Sequence, residues 1–386
     1  MARRAFVVVV DACGVGALPD ASDYGDAGTN TLLHVAEAVG GLDLPAFEAL
    51  GLGNILELPG VAPVAHPALH GRLHALGPGK DSTAGHWELM GVVAATAPPQ
   101  FPDGLPRELL TRVERTIGHA VICNRPYNGI AAIEDYGEEH LASGRPILYT
   151  SQDSVLQLAA HVSVISPEAL YHACEVLRRE LVEPEVAVGR VIARPFDGEP
   201  GSFERTDGRR DYALLPTGES YLDALGAAGV PVHGVGKAVA LFAGRGFSEV
   251  HPAPTNAEGI ARLDELGDSL DAGFVFANLI ETDQTYGHRK DTAGFHRALQ
   301  EIDAALGRWL ASLREDDLLI VTADHGCDPA AAHSDHTREH APLLARFAGA
   351  GERRHDGALA DVGASVLDWL TAEAAPLPGS SFIAHA

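Results

Sequence analysis

The chain has 386 residues, 46% hydrophobic and 21% charged, with Lys+Arg 28 against Asp+Glu 53 and a formal net charge of -25. That length exceeds one compact core of ordinary size, so one large domain carrying an insertion, or two domains, is expected. The acid excess repels nucleic acid and anionic membrane and argues against both as partners; an anionic substrate needs local help from bound metals and a few placed basic residues.

Residues 5–10, AFVVVV, predict a buried strand that stops at Asp11. Behind Met1-Ala2-Arg3-Arg4 this run imitates a secretion signal, but it is shorter than such a segment requires and is closed by an acid, so export is rejected. A Gly/Asp/Pro-rich loop over 14–28 leads to Thr29-Asn30, which can cap an amphipathic helix from about 31 to 39. Residues 54–74 have no clear period. In 77–88, GPGKDSTAGHWE, small residues bracket the adjacent hydroxyls of Ser82 and Thr83, with Lys80, Asp81 and His86 nearby. That pattern suits either a capped helix start or a hydroxyl held open for activation.

Four prolines within residues 97–106 read as a hinge, and 196–218 is a second polar passage bearing Gly and Pro. Between them the spacing predicts a helix starting near Leu105, a helix from about 167 to 179 capped by Ser166, and a strand over 186–191. An inserted domain at 97–216 is therefore expected inside a core made of 1–96 and 217–386. From Ser220 onward the expected elements alternate: helix 221–227, strand 230–235, helix 257–266, strand 274–280, helix 292–313, strand 318–321 and helix 359–370. This order predicts an α/β class, a mostly parallel sheet with helices on both faces. The four cysteines, Cys13, Cys123, Cys174 and Cys327, form no C-x-x-C pair, which disfavours a disulfide scaffold or zinc ribbon and fits a reducing cytoplasm. No apolar run approaches the length of a transmembrane helix.

The chemistry gathers where strands end. The 274–280 run leads into Glu281, Asp283 and His288, and the 318–321 run into Asp324-His325, with His333, Asp335 and His336 about one loop later. With Asp11, three strand-like runs deliver acids and imidazoles to the carboxyl edge of one sheet, the edge where open α/β sheets bind ligands. Such donor sets suit Mn2+, Mg2+ or Zn2+. If Asp11, Asp283, His288, Asp324, His325 and His336 hold two divalent cations, three carboxylates and one alkoxide from Ser82 balance their charge. Two such cations suit in-line phosphoryl transfer through a phospho-enzyme, with simple hydrolysis by metal-bound water as the alternative.

The stretches Val10-Asp11, 79–88, 149–157 (YTSQDSVLQ), 188–196 (VGRVIARPF), 286–289 (YGHR), 322–326 (TADHG) and 335–339 (DHTRE) occur in one order along nearly the whole chain. Together they resemble prokaryotic phosphopentomutase of the alkaline phosphatase superfamily. The resemblance implies an alkaline-phosphatase-like core with a smaller inserted α+β cap that closes over a sugar phosphate. It implies an isomerase with two Mn2+ ions that interconverts ribose 1-phosphate and ribose 5-phosphate, and the 2-deoxyribose pair, through a phosphorylated hydroxyl and a bisphosphate intermediate, with a sugar bisphosphate as activator. It places one metal on Asp283, His288 and His336 and the other on Asp11, Asp324, His325 and the nucleophile. The family nucleophile is usually a Thr directly after Lys-Asp; here Ser82 holds that place, and Thr83 stays a second candidate. The resemblance further implies that Ser151, Asp153, Arg190, Ile192 and Arg205 of the cap, with Lys237 of the core, meet the sugar and distal phosphate. Read alone, Arg190 suits an ordinary ion pair, Asp153 a helix cap and Lys237 a surface charge. Residues 127–132, YNGIAA, depart from the Ser-Gly-Thr-Glu-like family stretch, which puts substrate preference in question more than reaction class. The rival readings are a metal-dependent phosphatase or phosphoglycerate-type mutase on the same scaffold, and a non-catalytic metal-binding protein.

Overall fold

The computed structural model describes residues 3–97, 99–151, 154–183 and 185–383. The chain forms two compact units, Met1–Ala95 with Pro216–Ala386, and Thr96–Leu215. In chain order the strands are β1 (Arg4–Val10), β2 (Leu69–His74), β3 (Ile122–Pro126), β4 (Ile147–Ser151), β5 (Val155–His161), β6 (Arg190–Asp197), β7 (Glu204–Arg205), β8 (Arg210–Ala213), β9 (Val232–Val235), β10 (Glu249–His251), β11 (Gly273–Leu279), β12 (Asp317–Thr322), β13 (Ala341–Arg346) and β14 (Gly357–Ala358).

The first unit is built on an eight-stranded sheet of order β10-β9-β11-β1-β12-β13-β2-β14. The neighbours from β10 to β12 are parallel, whereas β13 runs antiparallel to both β12 and β2. Every residue of β1, β11 and β12 is buried, which is why each reads as a continuous apolar run rather than an alternation. Helices Thr31–Val39, Pro45–Leu50 and Asn256–Ser269 pack with the long helix Thr292–Ser312, while Ser82–Leu89, Tyr221–Ala227 and Asp361–Thr371 form a second group. The parallel register brings the carboxyl ends of β11, β1 and β12 side by side, with Val10 opposite Leu279 and Val9 opposite Thr322. At the other end Arg4 faces Asp317, and its Nε and Nη2 donate to the two carboxylate oxygens at 2.7 and 2.6 Å.

The second unit holds a mixed six-stranded sheet, β3-β4-β5-β6-β7 with β8 paired to β6. Its alternation sorts two cores. Leu148, Leu156 and Leu158 join Val113, Leu170 and Leu177 of helices Arg107–Ile117 and Pro167–Glu180, while Ile147, Tyr149 and Ala159 join Ile133 of helix Gly129–Ser143 and Phe196. His140 on that last helix is fully buried. Its Nδ1 lies 2.7 Å from the Arg145 carbonyl and its Nε2 accepts the His161 N–H at 2.9 Å, an arrangement only the neutral ring satisfies.

Several expectations shift. The strand expected at 186–191 begins only at Arg190, because Val186 and Val188 are tied into turns by bonds to Glu183 and Val186 carbonyls, and pairing starts where β5 offers Val155 as partner. The aperiodic stretch 54–74 contains β2, whose Gly71 lies so close to the His355 carbonyl that no side chain fits. The strand expected at 230–235 starts at Val232. Asp153 lies outside the described residues; the element that follows, strand β5, starts at Val155.

Candidate metal centre

Asp11 leaves β1 through a tight turn in which Ala12 takes φ +63°, a left-handed conformation costly for a residue with a Cβ, and donates its N–H to Asp324 Oδ1 at 3.2 Å. Asp283 sits on a π-helical turn, Thr282–Tyr286, just past β11, and His288 on the 3-10 turn that comes next. Asp324 and His325 come directly off β12, and His336 arrives from the loop before β13. The donor atoms of Asp11, Asp324 and His325 lie within 4.8 Å of one another, as do those of Asp283, His325 and His336. His288 Nε2 stands 3.4 Å from Asp283 Oδ1.

The tautomers are set from outside. His325 Nδ1 meets the Gly326 carbonyl at 3.0 Å and His288 Nδ1 the Ser334 carbonyl at 2.7 Å, so each ring turns an Nε2 lone pair toward the carboxylates. Burial and the Asp324 carboxylate push the Asp11 carboxyl well above its usual range. Burial raises Asp283 and Asp324 too, but His336, Lys237 and His325 together overcome it at the first, and His325, His86 and Lys237 together at the second, so both carboxyls lie below their usual range. Burial brings the His325 imidazole down to about 4. Among the described residues, Asp11 Oδ1, Asp283 Oδ1 and Asp324 Oδ2 are buried yet have no hydrogen-bond partner. Three buried carboxylate oxygens without donors, ringed by imidazole nitrogens, fit divalent cations.

The Ser82 hydroxyl lies in this cluster, with Oγ 3.0 Å from His325 Nε2 and 2.7 Å from Lys237 Nζ. Its helix, Ser82–Leu89, is capped by Asp81, whose side chain accepts from the Thr83 and Ala84 N–H groups, so the capped-start reading also holds. Gly85 lets that helix approach: a Cβ there would lie 2.4 Å from the Asp324 carbonyl oxygen. Lys237 is no surface charge. It reaches Asp11 Oδ2 at 3.1 Å and Asp283 Oδ2 at 3.6 Å, and although burial works against its charge, Asp11, Asp283 and Asp324 hold the ammonium above its ordinary pKa.

Two residues hold the cluster from behind. Asn278 Nδ2 donates to Asp11 Oδ2 at 3.0 Å and faces His86 Nε2 at 3.2 Å, while His86 Nδ1 meets the Ser82 carbonyl at 2.9 Å. His86 stood out only as a neighbour of the hydroxyls; a single Asn inside the apolar FVFANL run was the available signal for Asn278. His333 and Glu281 lead elsewhere, to Asp26 Oδ1 at 2.8 Å and to the Asn256 N–H at 2.7 Å, and Asp335 accepts the His336 N–H at 2.9 Å.

In the second unit Arg190 opens β6 and pairs with Asp211 at 3.6 Å, Ile192 is buried two residues on, and Arg205 is exposed on β7. Ser151 ends β4. Sequence reading passed over Arg194 and Arg209, which with Arg205 act electrostatically on Tyr149. In the departing stretch Asn128 caps helix Gly129–Ser143, and a Cβ on Gly129 would lie 2.1 Å from Arg205 Nη2.

The model of the metalloenzyme superfamily matches residues 3–374, which gives the class that the sheet edge and its donors define. A phosphoglycerate mutase of Leishmania mexicana shares the fold, with TM-score 0.51 and 13% identity over 99% of this chain and 97% of that one. A phosphopentomutase of Caldanaerobacter subterraneus subsp. tengcongensis is 45% identical over 372 residues, 95% of this chain and 94% of that protein. One from Anaeromyxobacter dehalogenans is 46% identical over 389 residues, 100% and 99% of the two. The chain belongs to the phosphopentomutase family of metal-dependent enzymes.

Proposed function

We propose that the chain moves a phosphoryl group between the 1- and 5-oxygens of ribose, and of 2-deoxyribose, with Ser82 carrying it in between. The observation that carries this reading is the Ser82 hydroxyl held 2.7 Å from Lys237 and 3.0 Å from His325, where the two donor groups share one imidazole. In this reading Asp11, Asp324 and His325 hold one divalent ion and Asp283, His288 and His336 the other, with Mn2+ as the native metal. Such ions supply Lewis acidity, lowering the pKa of a hydroxyl and neutralising charge on a transferring phosphoryl group.

The chain's own residues do the rest. Phosphorylated Ser82 gives its phosphoryl to the free hydroxyl of the pentose monophosphate: the Ser82 O–P bond breaks, a sugar O–P bond forms, and the hydroxyl proton passes to the freed Ser82 oxygen. The sugar is then a bisphosphate, and its other phosphate returns to Ser82, restoring the phospho-enzyme with no net proton change. Lys237 steadies charge on the serine oxygen. Ser151, Asp153, Arg190, Ile192 and Arg205 of the inserted unit are assigned to the sugar and distal phosphate, an assignment supported by the guanidinium charge of Arg194, Arg205 and Arg209 near Tyr149. A sugar bisphosphate serves as activator by charging Ser82. Cytoplasmic residence belongs to the same reading and is supported by four free thiols. Among the described residues no helix is long and apolar enough to cross a membrane.

The test is ribose 1-phosphate conversion with Mn2+, following ribose 5-phosphate and free phosphate together in wild type, Ser82→Ala and Thr83→Ala. Isomer without free phosphate, abolished only in Ser82→Ala, is the expected result. Free phosphate without isomer would make the protein a phosphatase, and loss in Thr83→Ala alone would move the nucleophile by one residue.

A further inference from the structure

The edge of the first unit's sheet holds another convergence of donors. Glu249 of β10 is the register partner of His233 on β9, and His251 lies two residues along β10, so the alternation of parallel strands projects all three side chains to one face. His233 Nδ1 is 3.2 Å from His251 Nε2 and 3.5 Å from Glu249 Oε2, and the last pair are 4.0 Å apart. The imidazole planes are stacked at 19° with centroids 5.4 Å apart. Around a tetrahedral zinc-type ion with bonds of 2.0–2.1 Å, ligand atoms stand about 3.3 Å from one another, so the three separations need only small adjustment. A hydrogen-bonded imidazole pair explains the first distance alone; it gives no reason for a carboxylate oxygen to converge on the same nitrogens.

We propose that His233 Nδ1, His251 Nε2 and Glu249 Oε2 form a cation site separate from the catalytic centre, for a borderline divalent ion of the zinc type with water as the fourth ligand. Two imidazoles and one carboxylate with an open fourth position are a donor set that suits a zinc-type ion. His233 is buried, which lowers its pKa and favours the neutral ring a metal requires, while Glu249 is largely exposed and leaves an entry for ion and water. The site clamps a three-residue edge strand to its neighbour. The His251 carbonyl accepts the Gly236 N–H at 3.1 Å, and Lys237 is the very next residue, so the clamp also braces the turn that presents Lys237 to Ser82.

The experiment titrates Zn2+ into the Mn2+-loaded protein, counting both metals per chain by elemental analysis after equilibrium dialysis, for wild type, His251→Ala and Glu249→Gln. Wild type is expected to take up one Zn2+ per chain beyond any that exchanges for Mn2+; His251→Ala takes up no such extra ion, and Glu249→Gln binds it at least roughly 10-fold more weakly. Co2+ bound in its place gives the visible absorption of a tetrahedral ion in wild type only. Equal Zn2+ uptake by all three proteins, or uptake matched by Mn2+ release, would overturn the proposal. Glu249 is exposed and its replacement spares the fold, so that variant decides alone if His251→Ala does not fold.

Discussion

Strand β12 has a buried carboxylate at its start and another just beyond its end. Asp317, its first residue, receives both arms of Arg4 at 2.6 and 2.7 Å and the Arg314 N–H at 2.8 Å. Asp324, two residues past the last, faces His86 and His325 at 3.1 and 3.3 Å, with Oδ2 lacking a hydrogen bond among the described residues. The first carboxylate is complete within the protein and serves only the fold. The second is left short of donors by a fold rigid enough to keep it so, and that shortage is what a cation answers.

The contrast breaks most sharply at the hydroxyl. Ser82→Ala is expected to cut isomer formation by about 10^3-fold or more while leaving the melting temperature unchanged, as steady-state assay and calorimetry will show. Arg4→Met should do the opposite. It strands Asp317 in a site where both side chains are under 4% exposed, costing about 3–5 kcal/mol of unfolding free energy in urea titration, with kcat per folded molecule unchanged. Lys237→Met removes a charge from the site alone, and a fall in kcat of about 10²–10³-fold is expected with the ion-dependent rise in melting temperature retained.

The smallest effect is titratable. Burial lowers the His140 pKa, so below the unfolded value of about 6.5 the unfolded chain takes the proton first. The contribution of His140 to stability is complete above that pH and lost as the pH falls toward the lower native pKa. His140→Asn should therefore reduce the proton uptake on unfolding as the pH falls below about 6.5, read from the pH dependence of the urea midpoint.

What could be read from the sequence was local or repeated. β1, β11 and β12 are buried on both faces and so are written as apolar runs, and the acids just past them fall at one edge because parallel strands share a direction. The capped helices at Asn30 and Ser166 came from side chains adjacent to the turns they cap. The features that escaped were set by partners distant in sequence. β2 and β13 pair with each other across 268 or more positions, Arg4 finds Asp317 313 residues away, and Lys237 finds Ser82 155 away. No periodicity in 69–74 announces such a partner, and a lysine after a glycine looks the same whether it meets solvent or three carboxylates.

The place of β1 at the middle of its sheet has a consequence for how the protein is made. Its neighbours β11 and β12 begin at Gly273 and Asp317, so at roughly 5–20 residues per second the ribosome needs on the order of 15–50 s to deliver the first of them. Throughout that interval Phe6 to Val10 is a bare β-forming segment, while the inserted unit, whose strands all lie between Ile122 and Ala213, already has every partner it requires. The newborn chain thus carries a finished insertion behind an unfinished and adhesive beginning. It is over this stretch that shielding by a chaperone counts most for yield.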